Sequence, residues 1–232
     1  MINPLTNVTW HSASARGPRS VNADAAGSFG EPAVFAVADG VGDSPAAARA
    51  ARIAVSAAVL VSAGPAEALL AAQGAVRGDP SAGDCVLVVA VPAGDGYRIG
   101  WVGDVRAYAW DGSSLRQLTH DHTLAQYFRD RGMDASPQME HMVTTSVRTA
   151  GAAELGFTEI RRPAGLLLTS DGVHKRLPQA KMAELLRQPR NSAQSLVDAA
   201  LAAGGTDNAT ALLVECPPPL SDLTTEAFVV AA

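Results

Sequence analysis

The chain has 232 residues, 47% hydrophobic and 18% charged, near the globular average and far from disordered, collagenous or coiled-coil compositions. Lysine and arginine total 18 against 23 aspartates and glutamates, a net charge of -5 with no basic cluster, which argues against nucleic acid as a partner. Cys85 and Cys216 are too few for a disulfide scaffold and lack zinc-site spacing, so we read them as reduced thiols in a cytoplasm.

Met1-Ile2-Asn3-Pro4 has neither the positive start nor the apolar stretch of a signal peptide, and the longest apolar run, Cys85 to Val91, is too short to cross a bilayer. No membrane partner is expected. Residues 8–14 and 32–38 read as strands, the second closed by Asp39-Gly40. From Pro45 the period changes, with Ala47, Ala50, Ala51, Ala54, Ala58 and Val61 at helical spacing. A second helix runs from Pro65 to about Arg77, and the Gly78 to Asp84 loop ends the pair.

Three strands follow, Cys85 to Val91, Tyr97 to Val102 and Arg106 to Trp110, joined by turns too short for anything but antiparallel neighbours. Thr123 to Arg131 is helical in pattern, and Gly132 to Arg162 reads as a loop or small excursion. Gly165 to Ser170 is a buried strand ending in Asp171-Gly172. Helices over Pro178 to Gln188 and Ser192 to Ala203, then a strand over Ala209 to Glu215, complete the pattern, and residues 217–232 read as a tail behind three prolines. Strands in clusters and helices in pairs predict an α+β fold of antiparallel sheets covered by helices. Neither G-x-G-x-x-G after a strand nor a P-loop is present.

Four times an aspartate flanks an apolar strand beside a small or turn-forming residue: Asp39-Gly40, Gly103-Asp104, Asp171-Gly172 and Asp207-Asn208. Taken singly, each is ordinary turn chemistry. Gathered at the rim of one core, such aspartates repel one another and persist only with compensating cations. Oxygen ligands without histidine or cysteine suit hard ions, magnesium or manganese, and Asp39-Gly40 can offer both a carboxylate and an uncrowded backbone oxygen.

In order and surroundings these pieces resemble the metal-dependent serine/threonine protein phosphatases of type 2C (PPM), bacterial-type. The resemblance covers the chain to about residue 216. It is carried by Arg19-Ser-Val-Asn22-Ala-Asp24, Val37-Ala-Asp39-Gly40-Val-Gly42, Gly103-Asp104-Val-Arg106, Leu118-Thr-His-Asp121-His122-Thr123, Leu168-Thr-Ser-Asp171-Gly172-Val173 and Gly205-Thr-Asp207-Asn208-Ala-Thr210. It implies a four-layer α/β/β/α sandwich over residues 1–216, with a short flap at about 132–162 beside the catalytic groove and a C-terminal tail over 217–232. Residue by residue, it makes Asp39 the carboxylate bridging two divalent cations, Mn or Mg, and Gly40 a carbonyl ligand. Asp171 and Asp207 become further ligands, Asp24 orders metal-bound waters, and Arg19 grips the phosphate through its planar fork. The implied reaction is in-line attack of a metal-bridging hydroxide on phosphoserine or phosphothreonine, without a phosphoenzyme. The implied partners are a phosphoprotein substrate and a Ser/Thr kinase or its targets.

The sequence departs from the family pattern at several places. Ala23 stands where glutamate or glutamine is frequent, which removes a ligand of the second ion, and Val41 stands where some relatives carry a histidine. Asp43 and Asp84 stand where glycine and threonine are commoner. Lys175 replaces an aspartate that, with the one at Asp104, holds a third, weaker ion in the family; an ammonium cannot ligate a cation, so Lys175 is expected to pair with Asp104 and leave two ions. His120 and His122 fall where family residues are structural, and His174 is unmatched. Two other functions remain open from sequence: a catalytically weak regulatory or binding module, motivated by Ala23 and Lys175, and a phosphatase for small phosphometabolites.

Overall fold

The computed structural model describes residues 8–161, 164–188 and 193–215. Its strands in chain order are β1 (Trp10–Ala15), β2 (Asp24–Phe29), β3 (Val34–Gly40), β4 (Cys85–Ala93), β5 (Gly96–Val102), β6 (Arg106–Trp110), β7 (Leu115–Gln117), β8 (Gly156–Ile160), β9 (Gly165–Thr169) and β10 (Ala209–Val214). They form two five-stranded sheets, ordered β1-β10-β9-β6-β7 and β2-β3-β4-β5-β8, in which every neighbouring pair is antiparallel. Helices α1 (Pro45–Ala58) and α2 (Pro65–Gly78) cover the second sheet, while α4 (Asp171–His174), α5 (Gln179–Leu186) and α6 (Ala193–Ala202) cover the first. A short α3 (Leu124–Arg129) and 3-10 turns at Pro137–His141 and Ala152–Glu154 complete the described chain. Two sheets between helical layers are the sandwich anticipated from sequence.

Side-chain alternation explains why the sheets stack. In β4, Cys85, Leu87, Val89 and Val91 face the helices, whereas Val86, Val88 and Ala90 face the opposite sheet. In β9, Leu166 and Leu168 enter the layer between sheets and Leu167 turns outward to the helices. Each large aliphatic side chain buried in that layer contributes about 1.5–3 kcal/mol. Hydrophobic burial therefore presses the two sheets together. On the outer face, the alanines of α1 that recur at helical spacing are buried and let the helix lie close to β3. Ser44 caps its N-terminus by accepting from the Ala47 amide at 3.2 Å, and Pro45 begins it.

Three expectations are corrected in detail. Asp24–Phe29 forms β2, which the sequence pattern did not announce; its alanine, glycine and serine carry little strand propensity, and pairing with β3 imposes the conformation. The second strand runs on through Asp39 and Gly40, because β4 continues to pair with them. Residues 132–162 are not one excursion. From Thr145 the chain packs inward, with Val147 and Ala150 in the core under α2 and β8 added to the sheet edge beside β5. The tail over 217–232, and Cys216, lie outside the described residues. Among the described residues no helix is long and apolar enough to cross a membrane.

His174, expected from sequence to have no family counterpart, is buried at the end of α4, and its Nδ1 meets the Thr169 hydroxyl at 2.9 Å. Burial holds its imidazole well below the ordinary value, and the charges of Arg106 and Lys175 add to this. A histidine kept neutral by the fold contributes stability above its unfolded value, and that contribution is lost as pH falls below about 6.5. Relative to His174→Gln, the wild-type protein should lose about 1.4 kcal/mol per pH unit on acidification below that point. Urea titrations of both proteins between pH 7.5 and 5 measure the difference; parallel pH curves would exclude a neutral buried imidazole.

Candidate active site

The ends of β3, β5 and β9 and the start of β10 lie together at one edge of the two sheets, and the loops leaving them line a cavity of about 260 Å³. Asp39 and Gly40 close β3, Asp104 follows β5, Asp171 begins α4, and Asp207 precedes β10. All five line the cavity, as does Arg19 from the loop between β1 and β2. Asp24 opens β2 directly across from Asp39 in the β2–β3 register. Every site residue expected from sequence is therefore at or beside one cavity.

Local chemistry fixes this placement. A Cβ on Gly40 would lie 2.5 Å from the Ala47 carbonyl oxygen, so only glycine lets the end of β3 pass beneath the start of α1. Gly103 turns the chain out of β5 with φ of +92°, a conformation that favours glycine, and delivers Asp104 to the cavity. Asn208, quoted in the family motif but given no role from sequence, proves to be a strap. Its side-chain oxygen accepts from the Ala23 amide at 2.8 Å, and its amide nitrogen donates to the carbonyls of Arg16 at 2.7 Å and Val21 at 2.9 Å. It thereby fixes the loop that carries Arg19. Asp43 holds the same loop, accepting from the Ser20 amide and hydroxyl and the Val21 amide.

Asp84 is likewise structural, accepting from the Arg148 amide at 3.0 Å and the Ser146 hydroxyl. Arg106 and Asp121, both within the family motifs, form a bidentate pair at 2.9 and 2.6 Å that ties the segment after β7 to β6. His120 bonds Asp130, and His122 accepts from the Gly103 amide at 3.2 Å; neither lines the cavity. His141 does line it, and sequence reasoning passed over it because nothing in residues 132–143 marks it out.

The electrostatics of the cavity are dominated by like charge. Although part of Asp39 reaches the cavity, desolvation raises its carboxyl well above the usual range, and Asp24, Asp171, Asp104 and Asp207 push it in the same direction. Burial drives Asp24 up to about 7, with Asp171 and Asp207 adding to the rise and the Ser170 and Thr210 hydroxyls opposing it. Burial also raises Asp104, where the Lys175 ammonium pulls the other way. Asp171 Oδ1 and Asp24 Oδ1 are buried without a hydrogen-bond partner. Their sister oxygens are engaged: Asp24 Oδ2 accepts from Ser170 Oγ at 2.7 Å, and Asp171 Oδ2 from Lys175 Nζ at 2.9 Å.

Two side-chain cations answer part of this charge. Lys175 Nζ also lies 2.7 Å from Asp104 Oδ2, the pairing expected from sequence. Arg19 Nη2 lies 2.7 Å from Asp207 Oδ2, and its Nε donates to the Thr206 carbonyl at 3.2 Å. With those oxygens committed, no three carboxylate, imidazole or thiol groups among the described residues form a ready-made metal cage. The donors nevertheless fit hard divalent ions: aspartates, a glycine carbonyl, and buried carboxylate oxygens left unpartnered.

No family model matches the chain. The serine/threonine phosphatase stp of Listeria monocytogenes is 32% identical over 139 residues, covering 56% of this chain and 55% of that protein. The serine/threonine protein phosphatase PstP of Mycobacterium tuberculosis is 28% identical over 154 residues, 63% of this chain and 30% of that protein. The chain thus spans about half the length, or less, of the curated relatives it matches. Among solved structures, the catalytic domain of PstP in complex with two manganese ions superposes with a TM-score of 0.73 at 26% identity, over 90% of this chain and 97% of that one. Stp1 from Staphylococcus aureus shares the fold, with a TM-score of 0.75 at 20% identity over 90% and 95%. In sequence and in fold together, the chain is similar to the bacterial PPM-type serine/threonine phosphatases.

Proposed function

We propose that the chain hydrolyses phosphoserine and phosphothreonine in proteins, using two divalent cations, manganese or magnesium, held by Asp39, Gly40, Asp171 and Asp207 with Asp24 alongside. The observation that carries this reading is the crowding of Asp39 by four other aspartates at and beside one cavity, with a buried oxygen of Asp24 and one of Asp171 left without partners. Crowded carboxylates of this kind call for external positive charge, and Lys175 and Arg19 supply two units against five acids. When bound, such ions activate a water and offset charge on the phosphoryl oxygens.

The protein's own groups do the rest. The Arg19 fork, half-exposed at the cavity wall, grips two phosphate oxygens once it exchanges Asp207 for the substrate. Asn208 and Asp43 keep its loop in place during that exchange. Asp104 is bound to Lys175 and leaves the ion count at two. The catalytic unit is residues 1–216 and acts on substrates of a Ser/Thr kinase, or on the kinase itself. A catalytically weak binding module is favoured by one observation, the alanine at position 23 where a further ligand would stand.

Asp39→Asn should lower manganese-dependent hydrolysis of p-nitrophenyl phosphate by at least about 1000-fold and weaken manganese binding in calorimetry, with circular dichroism unchanged. Wild-type levels of turnover in that variant would end the two-ion reading. Arg19→Ala should raise KM for a phosphopeptide by about 10- to 100-fold, since a charged hydrogen-bonded pair is worth about 1.5–3 kcal/mol. An unchanged KM would remove Arg19 from phosphate binding. Crystals soaked in manganese should give two anomalous peaks; a third beside Asp104 would contradict the role given to Lys175.

A further inference from the structure

Of 18 basic residues, only Lys175 and Lys181 are lysines. Lys181 is exposed and pairs with Glu184 along α5, an ordinary surface contact. Lys175 differs. Its ammonium donates to Asp104 Oδ2 at 2.7 Å, Asp171 Oδ2 at 2.9 Å and the Glu140 carbonyl at 2.9 Å, which uses all three of its protons. The acceptors come from three directions: the turn after β5, the start of α4 and the Pro137–His141 turn. A compact ammonium serves such a set, whereas a guanidinium spreads its donors in one plane. Charge compensation explains the two bonds to aspartates and leaves the third, to a neutral backbone oxygen, unexplained.

The Pro137–His141 turn explains it. No residue of the turn is buried, so little apolar packing sets its position. Besides short-range backbone bonds, it is held toward α3 by the Glu140 side chain, which pairs with Arg129 at the surface, and by the Met142 carbonyl just past it, which accepts from the Leu124 amide at 2.8 Å. Lys175 is the tie that runs inward from the turn to the cavity, and the next residue, His141, lines that cavity. We propose that Lys175 is a positioning residue that latches the Pro137–His141 turn over the carboxylate cavity and so selects which phosphorylated surfaces reach it. Its effect on substrate choice rests on the phosphatase reading; the latch itself does not.

Hydrogen exchange in chelator, free of ions and turnover, tests the latch in Lys175→Met. Amides of residues 139–142 should exchange at least about 10-fold faster than in wild type while β10 keeps its protection. Should β10 lose protection, Lys175→Gln is read in the same way. In the wild-type protein, amine labelling should modify Lys175 at least about 10-fold more slowly than Lys181. With manganese present, the ratio of KM for a phosphopeptide to KM for p-nitrophenyl phosphate should rise about fivefold or more in the variant, because the small ester does not span the turn. Unchanged exchange at 139–142, equal labelling of the two lysines, or an unchanged KM ratio in an active variant would each overturn the proposal. Absence of turnover in wild type with faster exchange in the variant would sink the phosphatase reading and keep the latch.

Discussion

Five aspartates at one edge of a two-sheet sandwich repel one another, and the surrounding structure is arranged to hold them there. Asp39 is the centre of this repulsion, since burial and four neighbouring carboxylates all act on it in one direction. The opposing force is hydrophobic. Leu166, Leu168 and Leu212 from one sheet pack against Phe35, Val37 and Val88 from the other, and this layer sets the separation of the strand ends. The energy of the core is thereby spent in part on keeping like charges close, a pattern common at functional sites.

The supports of the site divide by type. Strand ends and helix starts carry the acids, while Arg19 sits on a loop whose apolar packing is small, Val21 and Ala23 against Ala47 and Ala48. Hydrogen bonds from Asn208 and to Asp43 add to that packing. The Arg106 and Asp121 pair does the same for the segment carrying His120 and His122. In each case a polar group takes its partners from other parts of the chain, so the loops acquire positions that their own sequences do not encode.

That distinction explains what was legible in the sequence. The alternation in β4 and the alanine spacing in α1 announce their elements, because burial is periodic and leaves a periodic trace. The four aspartates beside turn residues were visible for the same reason, since strand ends are marked by turns. Strand β2 was not visible, because small residues fill both of its faces: Ala25 and Gly27 lie close to α1, where a Cβ on Gly27 would meet Val55, and Ala26 faces the other sheet. The contact of Lys175 with Asp104 followed from charge and order alone. Its bond to Glu140, the strap made by Asn208 and the placement of His141 depend on where loops return in space, which no local pattern records.

The register of β2 on β3 sets Asp24 opposite Asp39, with Phe29 opposite Val34 at the other end of the hairpin. Side chains alternate along a strand, so a one-residue slip of that register would carry Asp24 to the far side of its sheet. The placement of one acid thus depends on the register of a hairpin whose bend lies at the other end of the strand. A slipped pairing would remove Asp24 from its place beside Asp39 as surely as substituting it, and a count of the acids alone would not reveal the loss.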